Sequence, residues 1–371
     1  MYDVIIVGAG FAGCSLASQL DELDILVLDK DGIGKRPVSA ITFLDLIEDD
    51  AAIRNRYSRF GILNSRGDLV EYDFEEEKFV LVNYEKLCRS KWRDVTRTKV
   101  VDAEENAVVT SEGERIKARV IVDCSGLHSK IREKVGFKPP EVINVLRFQK
   151  IAEVDIDPDI FYFTVGVTNN GGWIYPISRK EIEFGVATRF KFKERAKVKV
   201  PQIKKIGFFK KFNGIVRSEN MATIGYSPVK QVVNKNYILL GDSAGMVHPV
   251  YGMGIHYIDR ISQVCAKCIR EYLRGMGGLE EYQKFWSSLL KKNAGLWARG
   301  MAIWSLSPKE QEKLVVIQKY MEVHPKSIYL DMLDLDTNIE IFAKRGMPIR
   351  KNWKFLLRFV LYRLTSLKFY L

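Results

Sequence analysis

The sequence predicts an α/β protein with three parts: a Rossmann-type nucleotide-binding domain, an inserted antiparallel-sheet substrate domain and a helical C-terminal region. Three patterns carry this: a glycine-rich turn set between a β-branched run and a helix near the start, two-residue alternation between about Pro140 and Ser227, and helical spacing of apolar residues after Leu279. The 371 residues are enough for one large unit or two interlocked lobes. A composition of 47% hydrophobic and 28% charged residues, with 27 Gly and 11 Pro, excludes a disordered or collagenous chain.

Residues Asp3 to Val7 form the first strand, and Gly8-Ala9-Gly10-Phe11-Ala12-Gly13 follows it into a helix reaching about Leu20. A second strand, Ile25 to Leu28, ends in Asp29. This strand–turn–helix–strand context gives G-x-G-x-x-G its meaning. Gly8 permits the tight turn, Gly10 lets the backbone approach a pyrophosphate, and Gly13 allows close helix–strand packing. The helix start offers free N–H groups and a positive dipole end to phosphates, and Asp29 is the acid placed to bind ribose hydroxyls.

Two later motifs bear on which dinucleotide is bound. Val120-Ile-Val-Asp123-Cys-Ser-Gly126 reads as a buried strand ending in an acid and a glycine. Tyr237-Ile-Leu-Leu-Gly241-Asp242-Ser-Ala-Gly245 is another strand ending in Gly-Asp; His248-Pro249, Gly252-Met253-Gly254 and a long helix to about Leu273 follow it. Asp242 can accept hydrogen bonds from ribityl hydroxyls, and the helix starting near Gly254 can stabilise negative charge on a reduced flavin.

GAGFAG at 8–13, DCSG at 123–126 and GDSAGMVHPVYGMGI at 241–255 together resemble the FAD flavoproteins of the aromatic-hydroxylase fold. Within these the chain is most similar to the geranylgeranyl reductase family, which includes archaeal digeranylgeranylglycerophospholipid reductases acting in membrane-lipid biosynthesis. The resemblance covers roughly residues 1 to 275. It implies FAD as cofactor, with Ala12, Asp29, Asp242, Gly254 and Ile255 matching the family's contacts. Gly8, Gly10, Phe11, Gly13, Lys30, Ala40, Val101, Asp123, Gly126, Gly241, Gly252 and Met253 complete the candidate cofactor set. The implied domains are discontinuous: 1–40, 80–140 and 228–278 for FAD, 41–79 and 141–227 for the substrate sheet, and 279–371 for the helical region.

Gly171-Gly172-Trp173-Ile174-Tyr175-Pro176 keeps the Trp, an aromatic and the Pro of the family's Y-x-W-x-F-P pattern but lacks its first Tyr. Trp173 and Tyr175 alternate onto one strand face, so both are candidates for an apolar substrate pocket, together with His248, Pro249 and Tyr251. Two departures matter. Lys35-Arg36-Pro37-Val38-Ser39-Ala40 has Ser or Ala where many members carry a cysteine facing the flavin, and Tyr84 stands where the family usually has an arginine. The proton donor is thus open among Tyr175, His248, His256 and a water held by Ser39; Tyr175, His256 and Ser39 are the catalytic candidates.

The net charge of +12 is concentrated. Arg189 to Arg217 holds eleven basic residues and one acid, and 350–371 holds six and none. Such runs read either as solvated faces or as attraction to lipid head groups and a phosphorylated substrate; with no nucleic-acid motif beside them, nucleic acid is not expected as a partner. In 351–371, Lys351, Lys354, Arg358 and Lys368 share one face of a helical wheel, the pattern of a helix that packs on its own lobe or lies at a membrane surface. Five cysteines and no signal peptide point to the cytoplasm, with peripheral membrane contact through 351–371. The lone C-x-x-C at Cys265 and Cys268 sits in a helical stretch without a second ligand pair, so no metal is expected.

The leading expectation is reduction of isoprenoid C=C bonds by reduced FAD. Electrons would come from an external ferredoxin-like or NAD(P)H donor, since no second dinucleotide motif is present. The alternatives are an FAD monooxygenase or halogenase of the same fold and a non-enzymatic prenyl-lipid binding protein; retention of Asp242 argues against the last.

Overall fold

The computed structural model describes residues 1–36, 39–167, 171–191, 193, 214–318, 321–323 and 341–343. Along the chain come β1 (Tyr2–Val7), α1 (Phe11–Ser18), β2 (Ile25–Asp29), β3 (Ala40–Phe43), β4 (Ile53–Tyr57), β5 (Arg59–Asn64), β6 (Leu69–Asp73), β7 (Phe79–Val82) and α2 (Tyr84–Lys91). There follow β8 (Thr96–Arg97), β9 (Val100–Glu104), β10 (Ala107–Thr110), β11 (Arg115–Asp123), α3 (Lys130–Lys134), β12 (Val142–Ala152), β13 (Ile160–Val165), β14 (Gly172–Ser178), β15 (Glu181–Lys191) and β16 (Ile215–Gly225). The described chain continues through β17 (Val233–Asn234), β18 (Tyr237–Leu239), α4 (Ile255–Leu273), α5 (Glu280–Lys292), α6 (Ala294–Ser305) and α7 (Pro308–Gln318) to β19 (Met321–Val323) and β20 (Ile341–Ala343).

The first sheet runs β17-β18-β11-β1-β2-β8, with β10 and β9 folding off β11 as an antiparallel flap. Its centre is parallel: β1 pairs with both β11 and β2, and β11 with β18. Val4, Ile5 and Ile6 are wholly buried, as expected of a central parallel strand covered on both faces. α1 is short and rich in small residues, so it can lie close against α4, where Ser15 Oγ meets Ser262 Oγ at 2.8 Å and donates to Asp259 at 3.1 Å.

The second sheet, β16-β12-β15-β14-β13-β5-β6, is antiparallel except where β13 runs parallel to β5. Strands β12 and β15 pair over their full eleven residues. Strands β12, β13 and β14 of this sheet carry a buried aromatic cluster of Phe148, Phe161, Trp173 and Tyr175. A small third sheet, β3-β7-β4, lies between the two cores: Val80 and Val82 belong to one and Phe79 and Leu81 to the other, as strand alternation requires.

The C-terminal region is helical through α7, but β19 and β20 pair as an antiparallel two-stranded sheet where helix was expected. Most of the basic stretch 189–217 and all of 351–371 lie outside the described residues. Among the described residues no helix is long and apolar enough to cross a membrane.

Candidate active site

One cavity of about 590 Å³ runs between the two large sheets and is lined from both sides. On the nucleotide side stand Gly8, Gly10, Phe11, Ala12, Asp29, Lys30, Ala40, Gly126, Asp242, Gly252, Met253, Gly254 and Ile255. Facing them are Ser39, Trp173, Tyr175 and Tyr251. Seventeen predicted residues, far apart in sequence, therefore share one space.

The glycine turn is built by steric exclusion. Gly8 has φ +110, and a Cβ there would sit 2.4 Å from the Cys124 carbonyl oxygen. A Cβ on Gly13 would come within 1.9 Å of the Gly8 carbonyl oxygen, so only glycine lets α1 start this close to β1. Gly10 differs: the nearest atom to its Cβ position is Tyr84 Oη at 3.4 Å, so the missing side chain leaves a cradle open to the cavity. The Phe11 N–H, at the start of α1, donates to that same Tyr84 hydroxyl at 2.9 Å. Burial pushes the Tyr84 phenol well above its ordinary range, so it stays neutral. Arg36 lies over the Tyr84 ring at 5.5 Å and supplies positive charge beside the turn. Burial opposes the Arg36 charge, but Asp242 and Tyr84 outweigh it and hold the guanidinium protonated.

Asp29 ties the first two loops together: Oδ2 accepts from Ala9 N at 2.8 Å, and Oδ1 from Asp31 N at 2.8 Å and Gly32 N at 3.0 Å. Its placement at the cavity also leaves it within the nucleotide wall.

Several predicted residues have roles behind the wall rather than in it. Gly13 and Gly241 shape the backbone, the latter at φ +77 against Ala12. Asp123 is buried and accepts from Ser125 N at 2.9 Å, Ser125 Oγ at 2.6 Å and Ser129 Oγ. Burial raises its pKa while these hydrogen bonds pull the other way. Arg132 donates to Leu127 O and to Ser243 O at 2.8 Å, strapping the DCSG turn to the GDS turn. Val101 does not reach the cavity but its neighbour Val100 does, because adjacent strand residues point to opposite faces.

The two histidines and the proline are corrected likewise. His256 packs edge-on to Phe43, with ring centroids 5.0 Å apart, and against Tyr257 at 4.0 Å, in the core of α4 and outside the cavity wall. It is not placed to deliver a proton. His248 Nδ1 accepts from Val250 N at 3.1 Å and Tyr251 N at 3.2 Å, which fixes the turn presenting Tyr251 and Gly252. The Pro249 carbonyl accepts from Trp304 Nε1 at 3.1 Å, and Gly300 packs against the same carbonyl. This docks α6 on the site and brings Trp304 into the cavity wall.

Trp304, Arg36 and Glu183 are the residues that the motif reading missed. Glu183 on β15 is fully buried, accepts from Ser39 N at 3.2 Å and Ser39 Oγ at 2.7 Å, and from Trp173 Nε1 at 3.1 Å. Tyr57 donates to the Pro176 carbonyl at 2.6 Å and Asn55 to the same oxygen at 3.0 Å, fixing β14 and with it Trp173 and Tyr175.

Cys265 and Cys268 are free, buried thiols on α4, and burial pushes both up. Among the described residues no cluster of metal-ligating side chains is found.

The cavity fits a flavin dinucleotide in its chemistry. Gly10 leaves the cradle for a pyrophosphate, the start of α1 and Arg36 offer positive charge, and Asp29 and Asp242 offer acceptors for hydroxyls. α4 begins at Gly254 on the wall, with no side chain capping its first turn.

The comparisons agree with this geometry. The family model described as tryptophan halogenase matches residues 88–274, half of the chain, and one described as lycopene cyclase protein matches 3–146. Digeranylgeranylglycerophospholipid reductase 2 of Methanopyrus kandleri is 25% identical over 360 residues, covering 84% of this chain and 88% of its own. The digeranylgeranylglycerophospholipid reductase of Methanocaldococcus jannaschii is 24% identical over 332 residues, covering 77% and 82%. Among solved structures, a geranylgeranyl bacteriochlorophyll reductase-like protein from Thermoplasma acidophilum superposes with TM-score 0.71 at 16% identity, covering 100% of this chain and 99% of its own. A flavin-dependent brominase follows with TM-score 0.62 at 15% identity, covering 85% and 92%. The cofactor is FAD, and the chain belongs to the family that the tryptophan halogenase model describes, with similarity across most of its length to the digeranylgeranylglycerophospholipid reductases.

Proposed function

We propose that this protein reduces isolated C=C bonds in a geranylgeranyl chain carried by a phosphate or glycerophospholipid head group. The observation that supports this most is the aromatic wall of Trp173, Tyr175, Phe163, Tyr251 and Trp304 across the cavity from the nucleotide turns. Burying about twenty carbons at ~0.8 kcal/mol per CH2 supplies on the order of 10 kcal/mol, so an apolar wall suffices to hold such a chain. Reduced flavin supplies hydride when bound. This chain's residues do the rest: the aromatic wall orients the alkene and excludes water, and a proton donor at the wall completes the addition.

Electrons come from outside the chain, from a ferredoxin-like protein or a nicotinamide. The substrate is drawn from a membrane, which the basic stretches at 189–217 and 351–371 would approach by charge. The test is anaerobic: dithionite-reduced protein with geranylgeranyl diphosphate or an unsaturated archaeal-type phospholipid should yield products heavier by pairs of hydrogens. A lipid recovered unchanged overturns the reading.

The half-chain match to the tryptophan halogenase model, and the brominase among the structural neighbours, favour one alternative, an oxygen-using enzyme on the same fold. Under that reading an aromatic substrate is hydroxylated or halogenated only when oxygen is admitted.

A further inference from the structure

We propose that Glu183 is the proton reservoir behind Ser39, and that the two together fill the proton-donor position at the cavity wall. This deepens the reading of the chain as an alkene reductase and rests on it. Three donors converge on this one buried carboxyl: Ser39 N–H at 3.2 Å and Ser39 O–H at 2.7 Å on Oε2, and the Trp173 indole N–H at 3.1 Å on Oε1. Ser39 and Trp173 both line the cavity and Glu183 does not, so the carboxyl reaches the reacting space through these two, and of them only the Ser39 hydroxyl can pass on a proton. It is a positioning and relay residue; Ser39 is the group that meets substrate.

Three donors arriving on both oxygens require a carboxyl here and exclude an amide. An amide can accept on one atom only and would turn its NH2 toward either the Ser39 backbone N–H or the indole N–H, donor against donor. A carboxyl can accept on both oxygens, and it has a second state. As a carboxylate it accepts the hydrogen bond of the Ser39 O–H; as an acid it donates to Ser39 Oγ and frees the serine O–H to turn into the cavity.

The charged and titratable neighbours are few. Lys150 on β12 stands directly opposite Glu183 in the strand register, and Tyr57 and Tyr175 face it from β4 and β14. Among the described residues no ion pair to Glu183 is formed. Burial raises its pKa, against the pull of Ser39, Trp173 and Lys150. A second cavity of about 200 Å³, lined by Ser39, Arg36, Arg54 and Lys150 among others, adjoins the same serine and is roomy enough for water.

The step balances. Bound reduced flavin would supply the hydride for one alkene carbon, and the other carbon forms its C–H bond with the Ser39 proton. The Ser39 O–H bond breaks, and the Glu183 O–H proton passes to Ser39 Oγ. The alkene gains two electrons and two hydrogens, the two electrons being those of the hydride a reduced flavin would supply, and Glu183 is left as a carboxylate that regains its proton through Ser39, which also lines the second cavity.

The test uses the FAD-loaded full chain with two readouts. Infrared difference spectra across a pH series should show a protonated-carboxyl band that Glu183→Gln removes and Ser39→Ala moves in pH. Anaerobic single turnovers with geranylgeranyl diphosphate should slow about 100-fold or more in Glu183→Gln, the usual size of a general-acid effect, with flavin content and lipid affinity kept. Glu183→Asp should recover part of the rate, and Ser39→Cys should keep turnover where Ser39→Ala loses it. The wild-type rate should fall with rising pH over the range in which the band disappears. A Glu183→Gln rate equal to wild type, or a band that survives this substitution, overturns the assignment and leaves the function standing. A wild type that leaves the lipid unchanged overturns the functional reading and the donor role with it.

Discussion

The two walls of the cavity are specified in different ways. The nucleotide wall is made of backbone: Gly8 and Gly13 are placed where any Cβ would overlap a carbonyl oxygen, and the ends of β1, β11 and β18 bring three short turns together. The facing wall is made of side chains, with Trp173 held by Glu183 on the neighbouring strand and β14 fixed at the Pro176 carbonyl by Tyr57 and Asn55 of β4. Backbone specification fixes one cofactor tightly. Side-chain specification leaves the substrate free to vary, and the same fold accordingly serves reductases and halogenating enzymes.

The comparison can be broken hardest at Trp173. Trp173→Ala removes a buried indole and a partner of Glu183, so thermal or denaturant unfolding should show a loss of about 3–5 kcal/mol, with the flavin spectrum of the folded fraction unchanged. Gly13→Val attacks the other wall. Overpacking against a carbonyl that cannot move should cost about 3 kcal/mol, and the protein should purify colourless, whereas the Trp173 variant stays yellow. Asp242→Ala is milder: losing an acceptor worth ~2 kcal/mol should weaken FAD about 30-fold by titration of the apoprotein.

The smallest effect sharpens the comparison through pH. Burial raises the Glu183 pKa, so the folded protein holds a proton that the unfolded chain has released. Stability from this group is fully present below the ordinary carboxyl range and falls as pH rises from there to the raised folded value. Denaturant unfolding across a pH series should show that fall in wild type and not in Glu183→Gln. Asp123 is raised by burial in the same direction and contributes a slope common to both proteins, so the difference between them isolates Glu183.

The same division explains what was legible in sequence. Gly8, Gly10 and Gly13 act within six residues, so spacing alone exposes them, and Asp242 ends a strand of evident apolar character. Trp173 and Tyr175 follow from strand alternation. Glu183 reads as one more polar residue on an alternating strand, because its partner Ser39 is 144 positions away. Trp304 is hidden for the same reason, 55 positions from the Pro249 carbonyl that seats it. His248 and His256 mislead in the opposite sense: a histidine beside a motif suggests chemistry, yet one caps a turn and the other fills the core. Val101 misses the cavity by one residue of strand phase.

The most direct test of the central claim is the reoxidation of the reduced flavin in the sealed, oxygen-free protein. Adding a geranylgeranyl lipid should restore the oxidised flavin spectrum, with one C=C bond lost for each flavin reoxidised. A flavin that stays reduced until air is admitted would contradict the account and assign the cavity to oxygen chemistry.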